Sequence, residues 1–164
     1  MAKKEQKASV YVSLDGSQFP VHIYFNRFAC DLVEGQLLLR FGLASPDGVL
    51  AHFATMLETD AIEQSREPML KFLDVLGGAP SEPMEPWRST ASVDQVPCSN
   101  MMLASRTGAV GELRFGIFSH GAALEHAKKA SGTSTISGAP VALLHCSLDL
   151  IRHVLTTVYL QTTP

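Results

Sequence analysis

One stretch of this chain occurs twice. Asn26 to Ser45 (NRFACDLVEGQLLLRFGLAS) and Asn100 to Ser119 (NMMLASRTGAVGELRFGIFS) align without a gap. Both begin with asparagine, both centre on Leu-Arg-Phe-Gly, and Leu43 falls opposite Ile117. In the first copy Leu37, Leu39, Phe41 and Leu43 alternate with Gln36, Leu38, Arg40 and Gly42. In the second, Leu113, Phe115 and Ile117 alternate with Glu112, Arg114 and Gly116. A period of two marks a strand with one face buried. The motifs therefore predict equivalent strands, with Leu39, Phe41, Leu113 and Phe115 in the core and Arg40 and Arg114 outside.

The flanking segments follow the same plan. After the first strand, Ser45-Pro46-Asp47-Gly48 has turn chemistry at every position, and a further strand, Val49 to Leu57, comes next. After the second, the turn is expanded into Gly121 to Pro140, with a helical piece (AALEHAKKA) and a flexible SGTSTISG, before the strand Val141 to Cys146. Each half then ends in a helix. Ser147 is placed to cap the second, with Asp149 in its first turn, where negative charge suits the helix dipole. Leu148, Ile151, Leu155 and Val158 form its apolar face. In the first, Asp60 and Glu63 have capping-box spacing, Ile62, Met69, Leu73 and Leu76 share a face, and Gly77 is a terminator. Pro68 inside that run predicts a kink or a restart. Two registers relate the helices, Ile62 with Ile151 or Ser65 with Ser147. Val10 to Leu14 and Val21 to Phe28 read as additional strands of the first half.

The pattern predicts an α+β fold of two pseudo-repeated units, each of antiparallel strands followed by a helix. Its segments are a flexible basic tail (1–9), a first repeat (10–77), a proline-rich linker (78–97) and a second repeat (98–164). A sheet with helices on one face buries only that face well, so the two units are expected to pack as an internal pseudo-dimer. The linker carries Pro80, Pro83, Pro86 and Pro97 and the single tryptophan, Trp87. Trp87 reads either as an anchor pinning the linker to the body or as an exposed contact for a partner.

Composition narrows the class. With 46% hydrophobic and 18% charged residues the chain is globular. No apolar run approaches the roughly 18 residues of a membrane span, and the N-terminal MAKKEQKASV lacks the apolar core of a secretory signal. Cys30, Cys98 and Cys146 are odd in number with no CxxC, which points to free thiols in a reducing cytoplasm. The net charge is −3, and the acidic residues concentrate between Thr55 and Gln95. There is no basic stripe, so neither nucleic acid nor membrane is an expected partner.

Chemical motifs are sparse. P-loop, GxGxxG, HExxH and GxSxG signatures are all missing, and no cofactor is expected. His120, His126, His145, Cys146 and His153 gather in the second half and carry imidazole and thiolate groups suited to zinc. His145 and Cys146 are adjacent in a strand and so point to opposite faces, against a shared metal. Cys146, just before a helix N-terminus, is the best-placed nucleophile, with His120, His126 or His153 as base; the competing reading is a buried small hydrophobe. Asp149 and His153 stand at i, i+4 and can pair. Arg40 and Arg114, outward on equivalent strands, could bind carboxylates of a partner or make salt bridges with residues such as Glu112.

The second half, LRFGIF…GAPVALLHCSLDLIRHVL, resembles a small bacterial domain family of unknown function whose members run strand, FG, loop, VxRVxxS and amphipathic helix. The sheet-plus-helix plan is also similar to that of the bacterial export chaperone SecB. These resemblances imply an α+β fold and a binding function, and bring no catalytic residues. Leu143 or Leu144 stands where the domain family has an arginine, so no role resting on that arginine carries over. The expected function is a non-enzymatic cytoplasmic protein-binding or assembly module, with a protein partner or a second copy of itself. The alternatives are a SecB-like holdase and a Cys/His-dependent enzyme or zinc protein.

Overall fold

The alternating leucines and phenylalanines bury as their spacing requires. Leu39, Phe41, Leu113 and Phe115 are each 0% exposed. The computed structural model describes residues 9–14, 19–84, 87, 96–129 and 133–161, and shows an α+β fold. Its elements in chain order are β1 (Ser9–Ser13), β2 (Val21–Tyr24), β3 (Arg27–Val33), β4 (Gln36–Ser45), β5 (Gly48–Glu58) and α1 (Thr59–Val75). Then come β6 (Cys98–Ser99), β7 (Met101–Thr107), β8 (Val110–Ile117), α2 (His120–Lys129), β9 (Thr133–Ser137), β10 (Ala139–Ser147) and α3 (Leu148–Thr156). A π-helical turn, Thr157–Gln161, follows α3 and buries Val158 and Tyr159.

Two four-stranded sheets, β3-β4-β5-β6 and β2-β10-β8-β7, make the body. β3, β4 and β5 form an antiparallel meander, and so do β7, β8 and β10. The fourth strand of each sheet comes from the other half of the chain. β6 pairs in parallel with β5, and β2 pairs in parallel with β10. Val21 to Phe28, expected as one strand of the first half, is therefore divided between the sheets. Its first part joins β10 and its second part begins β3.

The crossings occur at two asparagines. The Asn26 N–H donates to the Gly42 carbonyl at 2.9 Å, and the Asn100 N–H donates to the Gly116 carbonyl at 3.1 Å. The Asn26 side chain accepts from the Ala44 N–H (2.8 Å) and donates to the Ala44 carbonyl (2.9 Å). Asn100 makes the same pair of bonds with Phe118, at 2.9 and 2.8 Å. A primary amide presents one acceptor and donors side by side, so it imitates a backbone unit where the ladder would otherwise break. These bonds account for an asparagine at the head of both sequence copies.

Between the sheets lies a cluster of phenylalanines. Phe41 has ring centroids 4.9 Å from Phe25, 5.2 Å from Phe28 and 5.5 Å from Phe115, which ties the two Leu-Arg-Phe-Gly motifs together. Each such ring, fully buried, contributes about 1.5–3 kcal/mol. The glycines of the motifs face the other way and leave room for apolar side chains arriving from outside. A Cβ on Gly42 would lie 2.7 Å from the Trp87 ring, and one on Gly116 would lie 2.5 Å from the Leu14 side chain.

The helices correct several expectations. α1 runs through Pro68 from Thr59 to Val75 with no restart. Pro68 and Gln64, whose carbonyl loses the bond, are both exposed, so water replaces the missing donor. Asp60 sits inside the first turn, the N-cap position is Glu58, and no side chain caps it. Gly77 does end the helix, at φ +107°, with the Gly78 N–H donating to Leu73. Ser147 caps α3 by accepting from the Leu150 N–H. The helices stand in the register that matches Ile62 with Ile151, both buried, because each follows its third strand without a gap.

The insertion also differs from expectation. The flexible SGTSTISG contains β9, which pairs in parallel with β1, and α2 packs on both. Val10 to Leu14 thus belongs to this small satellite rather than to the first sheet. Most of the basic tail lies outside the described residues, and Ser9 already belongs to β1.

Asn26→Ala and Asn100→Ala should each lower stability by about 1–3 kcal/mol, because a part-buried N–H and carbonyl lose their partners together. Denaturant melts check this, with the shift expected in the midpoint and not in the slope.

Candidate functional site: the outer face of the first sheet

Strand alternation that sends Leu39 and Phe41 inward turns Leu38, Arg40 and Gly42 to the opposite face of β4. Arg40 stands in register with Ala29 on β3 and Ala54 on β5, and Gly42 with Arg27 and His52. Trp87 lies over Gly42 with its ring centroid 6.1 Å from that of His52. Arg40, His52 and Trp87 are all half-buried. Among the described residues Arg40 has no hydrogen-bond or ion-pair partner, and its Nε is enclosed and unsatisfied. The Nε2 of His52 is in the same condition. Burial, aided by the charge of Arg40, pulls the His52 imidazole below its ordinary value, so it is neutral at neutral pH.

The corresponding face of the second sheet is built differently. Arg114 Nη2 donates to Glu112 at 3.2 Å, and the Glu112 carboxylate, 13% exposed, also accepts from Thr107 at 3.2 Å. His145 Nδ1 lies 3.9 Å from the same carboxylate, and its ring stands edge-on to His22 at 5.4 Å. Leu103 and Leu143 flank Arg114 in register. In the gapless alignment Leu38 and Ala29 occupy the places of Glu112 and Leu103, and Ala54 stands in register with Arg40 as Leu143 does with Arg114. The salt-bridge reading of the arginines thus fits Arg114, while Arg40 is left without a carboxylate.

The second-half histidines do not converge. His120 lies 3.8 Å from Glu58 and within 4.8 Å of the Phe118 ring, His145 faces Glu112, and His153 lies 3.7 Å from Asp149. His126 is in α2, with its side chain outside the described residues. Among the described residues no three His, Cys, Asp or Glu side chains are placed to hold a metal. Cys146 is buried and its thiol is pushed up to about 12 by that burial. This is the direction opposite to the one a nucleophile needs. Cys30 is raised likewise, by burial and by Asp31. All three cysteines are free, and Cys98 is exposed.

A cavity of about 470 Å³ opens between the Asn26 crossing, residues 80–84 and the start of α3. Its charges are largely committed to one another. Arg152 donates to the Gly78 carbonyl at 2.9 Å and reaches Asp149 at 3.4 Å, which pins the linker to α3.

His52 is the residue that sequence reasoning passed over. Counting back from the Pro46-Asp47 turn, with Ser45 opposite Gly48, places His52 opposite Phe41 and so toward the core. A bulge between Leu43 and Ala44 shifts the register by one, and His52 pairs with Gly42 on the outer face. No protein-family model, curated protein or solved structure matches the chain. Among the described residues no helix is long and apolar enough to cross a membrane.

Two consequences of the thiols are measurable. A maleimide should modify Cys98 first and spare Cys30 and Cys146 until the protein unfolds, as mass spectrometry of timed samples would show. Cys146 ordinarily ionises near 9.0 and here near 12, so above about pH 9 the unfolded chain releases a proton that the folded one keeps. Stability is thus full below that pH and falls by about 1.4 kcal/mol per unit toward pH 12 for this thiol. Cys146→Ala should flatten that slope in melts taken across the range.

Proposed function

We propose that the protein is a non-enzymatic protein-binding or assembly module, built as an internal pseudo-dimer of two equivalent units. Supporting the duplication are the paired asparagine bonds at Asn26 and Asn100, the reciprocal placement of β2 and β6, and the glycines that receive Trp87 and Leu14. The observation that carries the binding function is Arg40. A half-buried guanidinium that meets no acceptor among the described residues, on the same face as a half-buried tryptophan, is unfavourable for the protein alone, and arginine and tryptophan are common anchors at protein interfaces.

On this reading the second sheet keeps its arginine as a structural ion pair, and the first presents its own to a partner. The partner is another protein or a second copy of the chain. Free thiols at Cys30, Cys98 and Cys146 suit a reducing cytoplasm. The Cys/His alternative is weakened by the upward displacement of both buried thiols, and no observation of comparable weight favours a holdase.

Capture from an extract of the source cells tests this, with Arg40→Ala compared against Arg106→Ala, which removes the same charge from an exposed site on β7. A stoichiometric partner, or self-association in light scattering, should drop about tenfold or more for Arg40→Ala and persist for Arg106→Ala. A monomer with no stoichiometric partner would overturn the proposal.

A further inference from the structure

We propose that Arg40, His52 and Trp87 form a carboxylate-recognition site on the outer face of the first sheet, and that its ligand is an acidic side chain of a peptide or protein. The inference rests on the protein-binding reading and specifies the chemistry of the ligand. An arginine presents its donors in a rigid planar fork that matches a carboxylate. Arg40 meets no acceptor among the described residues, and the neighbouring residues in register, Ala29 and Ala54, end at Cβ and carry no group that could serve as one. Arg114, whose Nε is likewise enclosed and unsatisfied, differs in lying between Leu103 and Leu143 and in pairing its Nη2 with Glu112.

His52, half-buried on the same face, has an enclosed and unsatisfied Nε2. As a neutral imidazole it places no second resident charge against Arg40. Arg27, in register with Gly42, adds a guanidinium that donates to the Asn26 carbonyl at 3.0 Å. Among the described residues the acidic side chains of this face, Asp31 and Glu58, lie toward the other end of β4, opposite Leu38 and Gln36. Among those residues the charge at the Trp87 end is therefore positive. Trp87, seated on Gly42, supplies a flat apolar wall against which the methylenes of a glutamate, or the adjoining peptide, can pack.

Trp87 is the single tryptophan, so intrinsic fluorescence of the full chain reads this site directly. The probe is a short glutamate-rich peptide, acetylated and amidated so that its only carboxylates are side chains. A saturable change in emission is expected, with affinity weakened about tenfold or more in Arg40→Gln and left within about twofold in Arg106→Gln. Arg40→Lys keeps the charge and loses the fork, so it should also weaken binding while guarding against a folding defect in Arg40→Gln. No saturable response, or an unchanged affinity in both Arg40 variants, overturns the proposal. So does an equal response to the same peptide with glutamine in place of glutamate. If free succinate or phosphate binds as tightly as the peptide, the peptide assignment falls and the protein-binding reading with it. If a captured partner is retained by Arg40→Gln and lost through substitutions elsewhere, this site alone is refuted and the protein-binding reading stands.

Discussion

Everything in this molecule depends on two chain crossings held by asparagine. When a strand leaves one sheet for another, its backbone donors and acceptors lose their ladder partners at the bend, and each buried orphan is costly. Asn26 and Asn100 solve the problem in the same way, with the backbone N–H on the motif glycine and the side-chain amide on the residue two positions further along. Each crossing then lets a segment serve as an edge of both sheets. The sheets cannot separate without breaking β2 from β10 and β6 from β5, and their inner faces are brought close enough for Phe41 to touch Phe115. A cross-linked core of this kind explains how a short chain keeps so many side chains wholly out of water.

The two halves diverge where single residues change what can pack. Leu37 in β4 corresponds to Gly111 in β8, and the missing side chain admits Ile151, whose Cγ1 lies 2.2 Å from where a Cβ would stand. α3 therefore rests directly on its own sheet. α1 follows β5 but lies along β7, and is fastened to the end of the chain by the Ser65 hydroxyl at 2.7 Å from that of Tyr159. The same exchange of large for small separates the outer faces. Alanines replace leucines around Arg40, and Leu38 replaces the carboxylate that Arg114 uses.

What could be read from the sequence was whatever depends on local order. The alternation about Leu-Arg-Phe-Gly, the buried faces of both helices and the Ser147 cap all follow from neighbours a few residues apart. The strand exchange does not, because nothing in Val21 to Tyr24 says that its partner is Ala142 to His145 rather than a nearer strand. SGTSTISG reads as flexible by composition, yet strand propensity depends strongly on context, and β1 offers it a partner. Pro68 misled for a related reason: its penalty depends on whether the carbonyl it orphans is buried, and exposure is a tertiary property. At the candidate site the two arginines and Trp87 were legible, as outward residues on repeated strands and as a lone large aromatic. Their inequality was not, since it needs the cross-strand neighbours. His52 was hidden by one bulged residue.

The divergence of the two faces bears on where a binding function can reside. A carboxylate buried beside Arg114, bonded also to Thr107 and close to His145, makes that face part of the scaffold, and an external ligand would have to displace an internal partner already in place. On the first sheet the Arg40 guanidinium meets no acceptor among the described residues, its neighbours in register are Ala29 and Ala54, and Trp87 lies over Gly42 two residues along the strand. The crossings and the phenylalanine cluster pass through neither arginine, so the fold does not depend on how either one is paired. Among the described residues, Arg40 is therefore the one of the two arginines that an external acceptor could engage without breaking an internal ion pair.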